Sequence, residues 1–590
     1  MELRIAYCYD DDLRQAANRA GRNYWYRYIE EILDRLGLTA EPVGRAVLAD
    51  PAGLARFSAL IVGDLEAGQL PTGAAAALRA WVEGGGLLIG FMTAGLEDLF
   101  GCRARTRLRR PGDDFCQSAF FELCEHPLTT DVHSPVCPEQ RLIILGDALA
   151  LQPEAAEELA RLYNLWGAEA GAAITARPLG QGAAYYFGFN LPQTIWALQQ
   201  GRPIDADYDG DGYHRFSDAR TLGTNDPRVP YADEILFLLG NLLATRPHPA
   251  LAPIPPLDGR PADLLLYWGG DDEATPGVAV AASDWMKSRG LPYHVNLMPL
   301  RGKFGLSPAE FAHIEANGHE CSLHYNFIDD FPHPCGFTRD DVAAQAQLYR
   351  ETFGKDPITT VNHWCRWTGW HEPAVWMAAE GSKADNSRIH RGSPPLNPIN
   401  TYGFSFGTSY PYWFYSDWRD GNRRLDFLEQ PVVAYEMGYL PGSDERPFAE
   451  MHTLLDLAAR YHLTVNWFHH PVYIAQEASC RAAIDEVLRY LEERHYRAVQ
   501  CGPDELWRWW SARSRGRITE ARADEAGFAC RAACDYPAGF TLRIPCGEHT
   551  PADARCDGAP AALLIRREFG RVWAEVALPP GAHDVTVRWV

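Results

Sequence analysis

Five prolines, Pro247, Pro249, Pro253, Pro255 and Pro256, fall within residues 246–256 and exclude both a helix and a central strand there. Proline lacks the N–H that either ladder needs. The stretch reads as an extended, stiff linker over 246–261, with a folding unit on each side. Both flanking regions alternate short apolar runs with amphipathic stretches, the pattern of strands followed by helices, so the chain reads as a multidomain α/β protein.

Before the linker, residues 1–245 read as a doubly wound, mainly parallel unit. Leu3–Tyr9 and Ala59–Gly63 are strand-like, and Asn23–Leu36 and Gly73–Val82 are helix-like. After the linker, residues 262–512 repeat the same units: strands at Tyr293–Met298, Glu320–Leu323 and Leu463–Phe468, helices at Pro308–Asn317, Val342–Phe353 and Ile484–Tyr496. Repeated βα units of this length imply a (β/α) barrel, whose functional residues lie at the C-terminal ends of its strands. Residues 517–590 change to short alternating runs split by Gly and Pro, the pattern of a small β-sandwich.

One barrel strand end stands out. The apolar run Leu264–Trp268 passes through Gly269–Gly270, read as a turn, into adjacent acids, Asp271 and Asp272. Folding does not explain two carboxylates there. About fifty residues on, His324 supplies an imidazole at the next strand end, and an acid pair with a histidine is suited to a metal-activated water with its own base.

Composition narrows the partners. The net charge of -22 disfavours nucleic acid and anionic membranes, which bind through clustered Lys and Arg, and favours a neutral or cationic ligand. No run of about 18 uncharged apolar residues is present, and the first residues alternate like a strand instead of forming a signal peptide, so a soluble, cytoplasmic protein is expected. The 14 cysteines form no CxxC pair and read as reduced thiols, Cys530 and Cys534 included. Asp205–Gly212 begins like a calcium loop, but Phe216 stands where its last carboxylate belongs; an acidic turn and a Ca²⁺ site using Asp211 or Asp218 both remain open.

Two resemblances follow from these motifs. Gly84–Gly86 handing over to the strand Leu87–Gly90, with the Gly-rich hairpin at Arg177–Gly182, resembles class I glutamine amidotransferase-like domains. Phe91–Met92–Thr93 has no Cys at the nucleophile position, which implies a non-catalytic structural or assembly module, with homo-oligomerisation through it as one role. Residues 261–510 resemble the polysaccharide deacetylase superfamily, the chitooligosaccharide deacetylase homology barrel. That resemblance implies Asp271 as base, Asp272 and His324 as metal ligands, and a divalent ion, Zn²⁺ first, with Co²⁺, Ni²⁺ or Mn²⁺ as alternatives. The family's second histidine is replaced by Ile328, leaving His363 as third-ligand candidate and His333 as alternate, while His319 reads as structural. Arg366 loosely matches the arginine that orients the base, and His470, with His469 as alternate, matches the histidine that protonates the leaving group. Asp385 matches an acid that supports that histidine, and Glu429 is a strand-end acid of unassigned role.

Trp364, Trp367 and Trp370, with Tyr410 and Trp413, read either as packing residues or as a wall on which sugar rings stack. The expected activity is a metal-dependent hydrolase acting on carbon–nitrogen bonds other than peptide bonds, removing acetyl groups from an N-acetylated or O-acetylated sugar. The alternatives are an amidase of a small cyclic or linear amide on the same barrel, and a catalytically inactive carbohydrate-binding or assembly protein.

Overall fold

A computed structural model describes residues 2–390 and 401–590. In the first unit, strands Ala40–Val43, Ile5–Cys8, Ala59–Gly63, Leu87–Phe91 and Gly182–Phe187 lie side by side in parallel. Their side chains alternate between two cores: Ile5, Tyr7, Ile61 and Ile89 enter one, and Ala6, Cys8, Leu60 and Leu88 the other. Such burial on both faces is what a parallel sheet covered by helices requires. The expected parallel character ends at Gly182–Phe187. Gly180, at φ +61, lets the chain reverse in a tight turn between Leu179 and Gly182, so Glu169–Leu179 pairs antiparallel. Strands Glu157–Asn164, Gln117–Leu123 and Leu142–Leu145 continue that antiparallel half.

In the second unit, strands Leu264–Asp271, His294–Leu297, Glu320–Tyr325, Thr359–Asn362, Ala384–Asp385 and Arg424–Glu429 run parallel in that order, and Thr464–Phe468 is parallel on the far side of Leu264–Asp271. The chain that leaves Arg424–Glu429 continues into Ala434–Tyr435, which pairs with Trp467–Phe468 at the opposite edge. Tyr412–Tyr415, antiparallel to Arg424–Glu429, forms the other edge of this curled sheet, and helices such as Val278–Ser288 and Arg339–Phe353 connect the strands. Gly269 and Gly270 belong to the strand and do not form the expected turn. At Gly270 a Cβ would lie 1.9 Å from the His469 carbonyl oxygen, so only glycine allows this close approach of strand and loop.

The 246–256 stretch is extended, as its prolines require, but it is packed along its length. Ala250–Leu251 forms an edge strand on Phe540–Pro545, in one of the two antiparallel sheets built by the C-terminal strands. Trp509 donates to the Pro253 carbonyl and Arg513 to that of Ala252, and the buried His248 bonds Ser58 Oγ at 2.8 Å. The acidic loop is closed by its own backbone: Asp207 accepts from the amides of Gly210, Asp211 and Gly212, and Asp218 from those of Tyr208, Asp209 and Arg215. Among the described residues no disulfide joins any of the 14 cysteines, and no helix is long and apolar enough to cross a membrane.

Candidate metal and catalytic centre

Period-two alternation sets the site. Asp271, Asn296 and Ser322 are register partners on three adjacent strands, so their side chains share the inner face, and His324 lies two residues beyond Ser322 on that face. Asn296 Nδ2 donates to Asp271 Oδ1 at 2.9 Å, and His324 Nε2 lies 3.5 Å from Asp271 Oδ2. The chain then turns through Glu273 and Ala274, both left-handed at φ +49 and +50, which carries the Glu273 carboxylate back over the strand ends. Glu273 Oε2 is 3.2 Å from His363 Nδ1 and Oε1 is 3.4 Å from His470 Nε2. Ligand atoms of Glu273, His324 and His363 all lie within 4.8 Å of one another.

His324 is fully buried and neither of its ring nitrogens has a hydrogen-bond partner. Burial pushes its pKa down to about 3, keeping the ring neutral and its lone pair available. His363 is also shifted down by burial, and its Nδ1 likewise has no hydrogen-bond partner. Two neutral imidazoles and a carboxylate are the donor set of a Zn²⁺-type site, and unpartnered buried nitrogens are otherwise costly, so these residues fit a divalent cation. Burial works to raise Glu273 but is outweighed by His470, His324 and His363, which hold it ionised, down to about 2.

His470 carries the opposite charge. Its Nδ1 and backbone amide both engage Glu436 Oε1, and although burial opposes protonation, the bonds to Glu273 and Glu436 raise its pKa to about 10. Burial raises Asp271, with His470 acting against that rise and Glu273 adding to it. The centre thus brings a carboxylate, a protonated imidazole and imidazole nitrogens without hydrogen-bond partners into one mouth.

Other expected site residues are placed elsewhere. Asp272 Oδ1 accepts from the amides of Ala274 at 3.0 Å and Met298 at 2.8 Å, fastening the turn that presents Glu273. Arg366 spends its guanidinium on the carbonyls of His214, Phe327, His333 and Pro334, and none of these bonds reaches Asp271. His333 is exposed, whereas His319 bonds the Ser283 carbonyl and His469 that of Met437. Asp385 accepts from Ser387, and Glu429 forms a buried pair with Arg388; Glu436, not Asp385, holds His470.

Of the five aromatic residues expected to form a stacking wall, Trp364 alone is open, 48% exposed, with its ring 6.0 Å from that of His363. Trp367 stacks on Phe414, Trp370 on Trp196, Tyr410 donates to the Tyr461 carbonyl and Trp413 to Ser514, so these four are core. No sequence motif marks Glu273 or Glu436. Glu273 directly follows the Asp271–Asp272 pair; Glu436 follows Ala434–Tyr435, a two-residue strand too short to show an alternating pattern.

No protein-family model matches the chain, and no curated protein matches it. Among solved structures, the carbohydrate deacetylase Agd3 is similar over 99% of this chain and 98% of its own, at 10% identity and a TM-score of 0.41. Puue allantoinase is similar over 44% of this chain and 94% of its own, at 13% identity and a TM-score of 0.30. The cold-adapted β-galactosidase from Rahnella sp. R3 is similar over 34% of this chain, at 17% identity and a TM-score of 0.25. This chain covers 31% of that galactosidase's length.

Proposed function

We propose that this protein is a metal-dependent hydrolase that removes an acetyl group from an N-acetylated, or alternatively O-acetylated, sugar at the mouth of the curled sheet. The observation that carries the reading is His324, fully buried with both nitrogens unpartnered, beside Glu273, His363 and Asp271. Glu273, His324 and His363 would hold the ion, in place of the Asp272-centred set expected from the motif. A divalent cation held there would supply Lewis acidity towards an acyl carbonyl and a water, and its charge would offset the burial that raises Asp271.

The side chains supply the rest. Asp271 Oδ2, facing His324 while Oδ1 is fixed by Asn296, takes the water proton as oxygen adds to the acyl carbon. His470 holds a proton at Nε2, with Nδ1 anchored by Glu436, and delivers it to the sugar nitrogen as the carbon–nitrogen bond breaks. Acetate and a free amine leave. Trp364 offers a flat apolar face beside the reacting groups, which matches the C–H face of a pyranose ring. The net charge of -22 suits a neutral acylated substrate and a cationic product.

Convergence of Asp271, His324 and His470 weighs against a non-catalytic binding protein. The test is hydrolysis before and after chelation, read as acetate release from N-acetylated hexosamine oligomers and O-acetylated oligosaccharides and as ring opening of small cyclic amides. Metal-dependent acetate release from the sugars is expected. Turnover confined to cyclic amides would replace the substrate, and no turnover of any of the three would overturn the reading.

A further inference from the structure

A second donor cluster lies on the same inner face at the opposite end of the strands. His294 and Glu320 are register partners at the starts of their strands, two residues before Asn296 and four before His324, respectively. At about 3.3 Å per residue, Glu320 sits about 13 Å from His324 along the strand. Asp504, at the start of the helix Pro503–Arg515, closes this end, and ligand atoms of His294, Glu320 and Asp504 all lie within 4.8 Å of one another.

Helix capping explains only part of this arrangement. Glu320 accepts from the amides of Asp504 and Glu505, each at 2.9 Å, an ordinary place for an anion at a helix N-terminus. A Cβ on Gly502 would lie 2.0 Å from Glu320 Oε2, so glycine leaves room for the carboxylate where it stands. Capping does not call for a second buried carboxylate, Asp504, beside the first, nor for His294. That histidine is fully buried, neither ring nitrogen has a hydrogen-bond partner, and Nε2 points at Asp504 Oδ1 from 3.8 Å. Arg508, half exposed, lies 3.8 Å from Glu320. Two acids in low dielectric with an unpartnered imidazole lack a positive charge at their centre.

We propose that His294, Glu320 and Asp504 form a second divalent-cation site, structural in role, that fastens the helix Pro503–Arg515 to the base of the sheet. Mixed nitrogen and carboxylate donors select Zn²⁺ or a similar first-row ion. Asp504 Oδ1 also accepts from the Thr359 amide at 3.0 Å, so an ion here ties three strands and one helix together. The base of such a sheet is where stabilising and not catalytic residues are expected.

The test is Zn²⁺ binding, read as metal equivalents per chain after dialysis. The full chain is expected to hold two, His324→Ala one, His294→Gln one, and the double variant none. His294→Gln and Glu320→Gln both retaining two equivalents would overturn the proposal. A single equivalent lost only in His324→Ala would overturn it while sparing the proposed function, whereas a single equivalent lost only in His294→Gln would do the reverse. If the variants do not fold, the unmodified protein crystallised with Zn²⁺ decides. An anomalous peak between His294, Glu320 and Asp504 supports the site, and its absence overturns it.

Discussion

Two parallel strands, Leu87–Phe91 in the first unit and Leu264–Asp271 in the curled sheet, end in the same backbone device. Each runs into a left-handed residue that is not glycine, Met92 at φ +45 and Glu273 at φ +49. Such a conformation costs about 1–2 kcal/mol for an L-residue, so both turns must be held by their surroundings. The surroundings differ in kind. Around Met92 the polar groups are satisfied locally: Thr93 donates to the Phe91 carbonyl, and Tyr186 to that of Thr93. Around Glu273 lie unpartnered imidazole nitrogens, a protonated histidine and a buried carboxylate. A strained strand end is therefore not itself a site; what distinguishes the second one is buried polarity that the fold leaves without partners.

The largest expected break in this comparison is Asp271→Asn. Removing the base should lower turnover by about 10³-fold, while metal content stays at the wild-type level, because Asp271 lies outside the proposed ligand set. A variant with near-normal acetate release would remove Asp271 from its role. Next, Glu273→Ala and His324→Ala should each lose the mouth's metal equivalent and with it turnover, whereas Asp272→Asn should keep the metal. If elemental analysis shows the reverse, Asp272 is the ligand and the turn at Glu273 is only structural. Glu436→Gln should cost about 10²-fold in kcat with little change in KM, since it weakens the hold on His470 without touching the pocket.

Stability should respond to acid through a different histidine. Burial lowers His248 to about 4, below the ordinary value of 6.5, so the folded state excludes a proton that the unfolded chain accepts. Its contribution is intact above pH 6.5 and is lost as pH falls towards 4, by about 3 kcal/mol in all. Denaturant midpoints between pH 7 and 4.5 should fall less in His248→Gln than in the native chain. The smallest effect belongs to the other strand end: Met92→Ala should leave acetate release within about twofold, as that turn holds no reacting group, and a loss of several decades would make the two strand ends equivalent.

The strong periodicities were legible in the sequence. Leu264–Trp268 and Leu463–Phe468 declare themselves as buried strands, and the helix Arg339–Phe353 is an extension of the apolar spacing read from Val342. What was not legible depended on tertiary proximity. Gly269–Gly270 has the composition of a turn, yet the approach of the His469 carbonyl makes it strand. The Pro-rich stretch is extended as expected, but its docking rests on carbonyls that Trp509 and Arg513 find, which no local pattern announces.

At the site, the histidines were readable because each ends a strand, and Asp271 because an acid has no place in a core. The geometry that puts Glu273 among them, and Asp272 against the Met298 amide, depends on left-handed turns at residues that do not advertise them. Arg366 and the four inner aromatics show the converse. Residue types suited to catalysis and sugar stacking are used here to clamp a loop and to fill the junction between units, as with Trp370 on Trp196.

The central claim is that the unpartnered histidines at the mouth mark a metal centre served by Asp271. Acetate release from an N-acetylated hexosamine oligomer, measured on chelated protein as Zn²⁺ is restored, tests it most directly. The account predicts that release is abolished by chelation, returns with Zn²⁺ in the native chain, and does not return in Asp271→Asn. Release that survives complete metal removal, or that returns equally in Asp271→Asn, would contradict it.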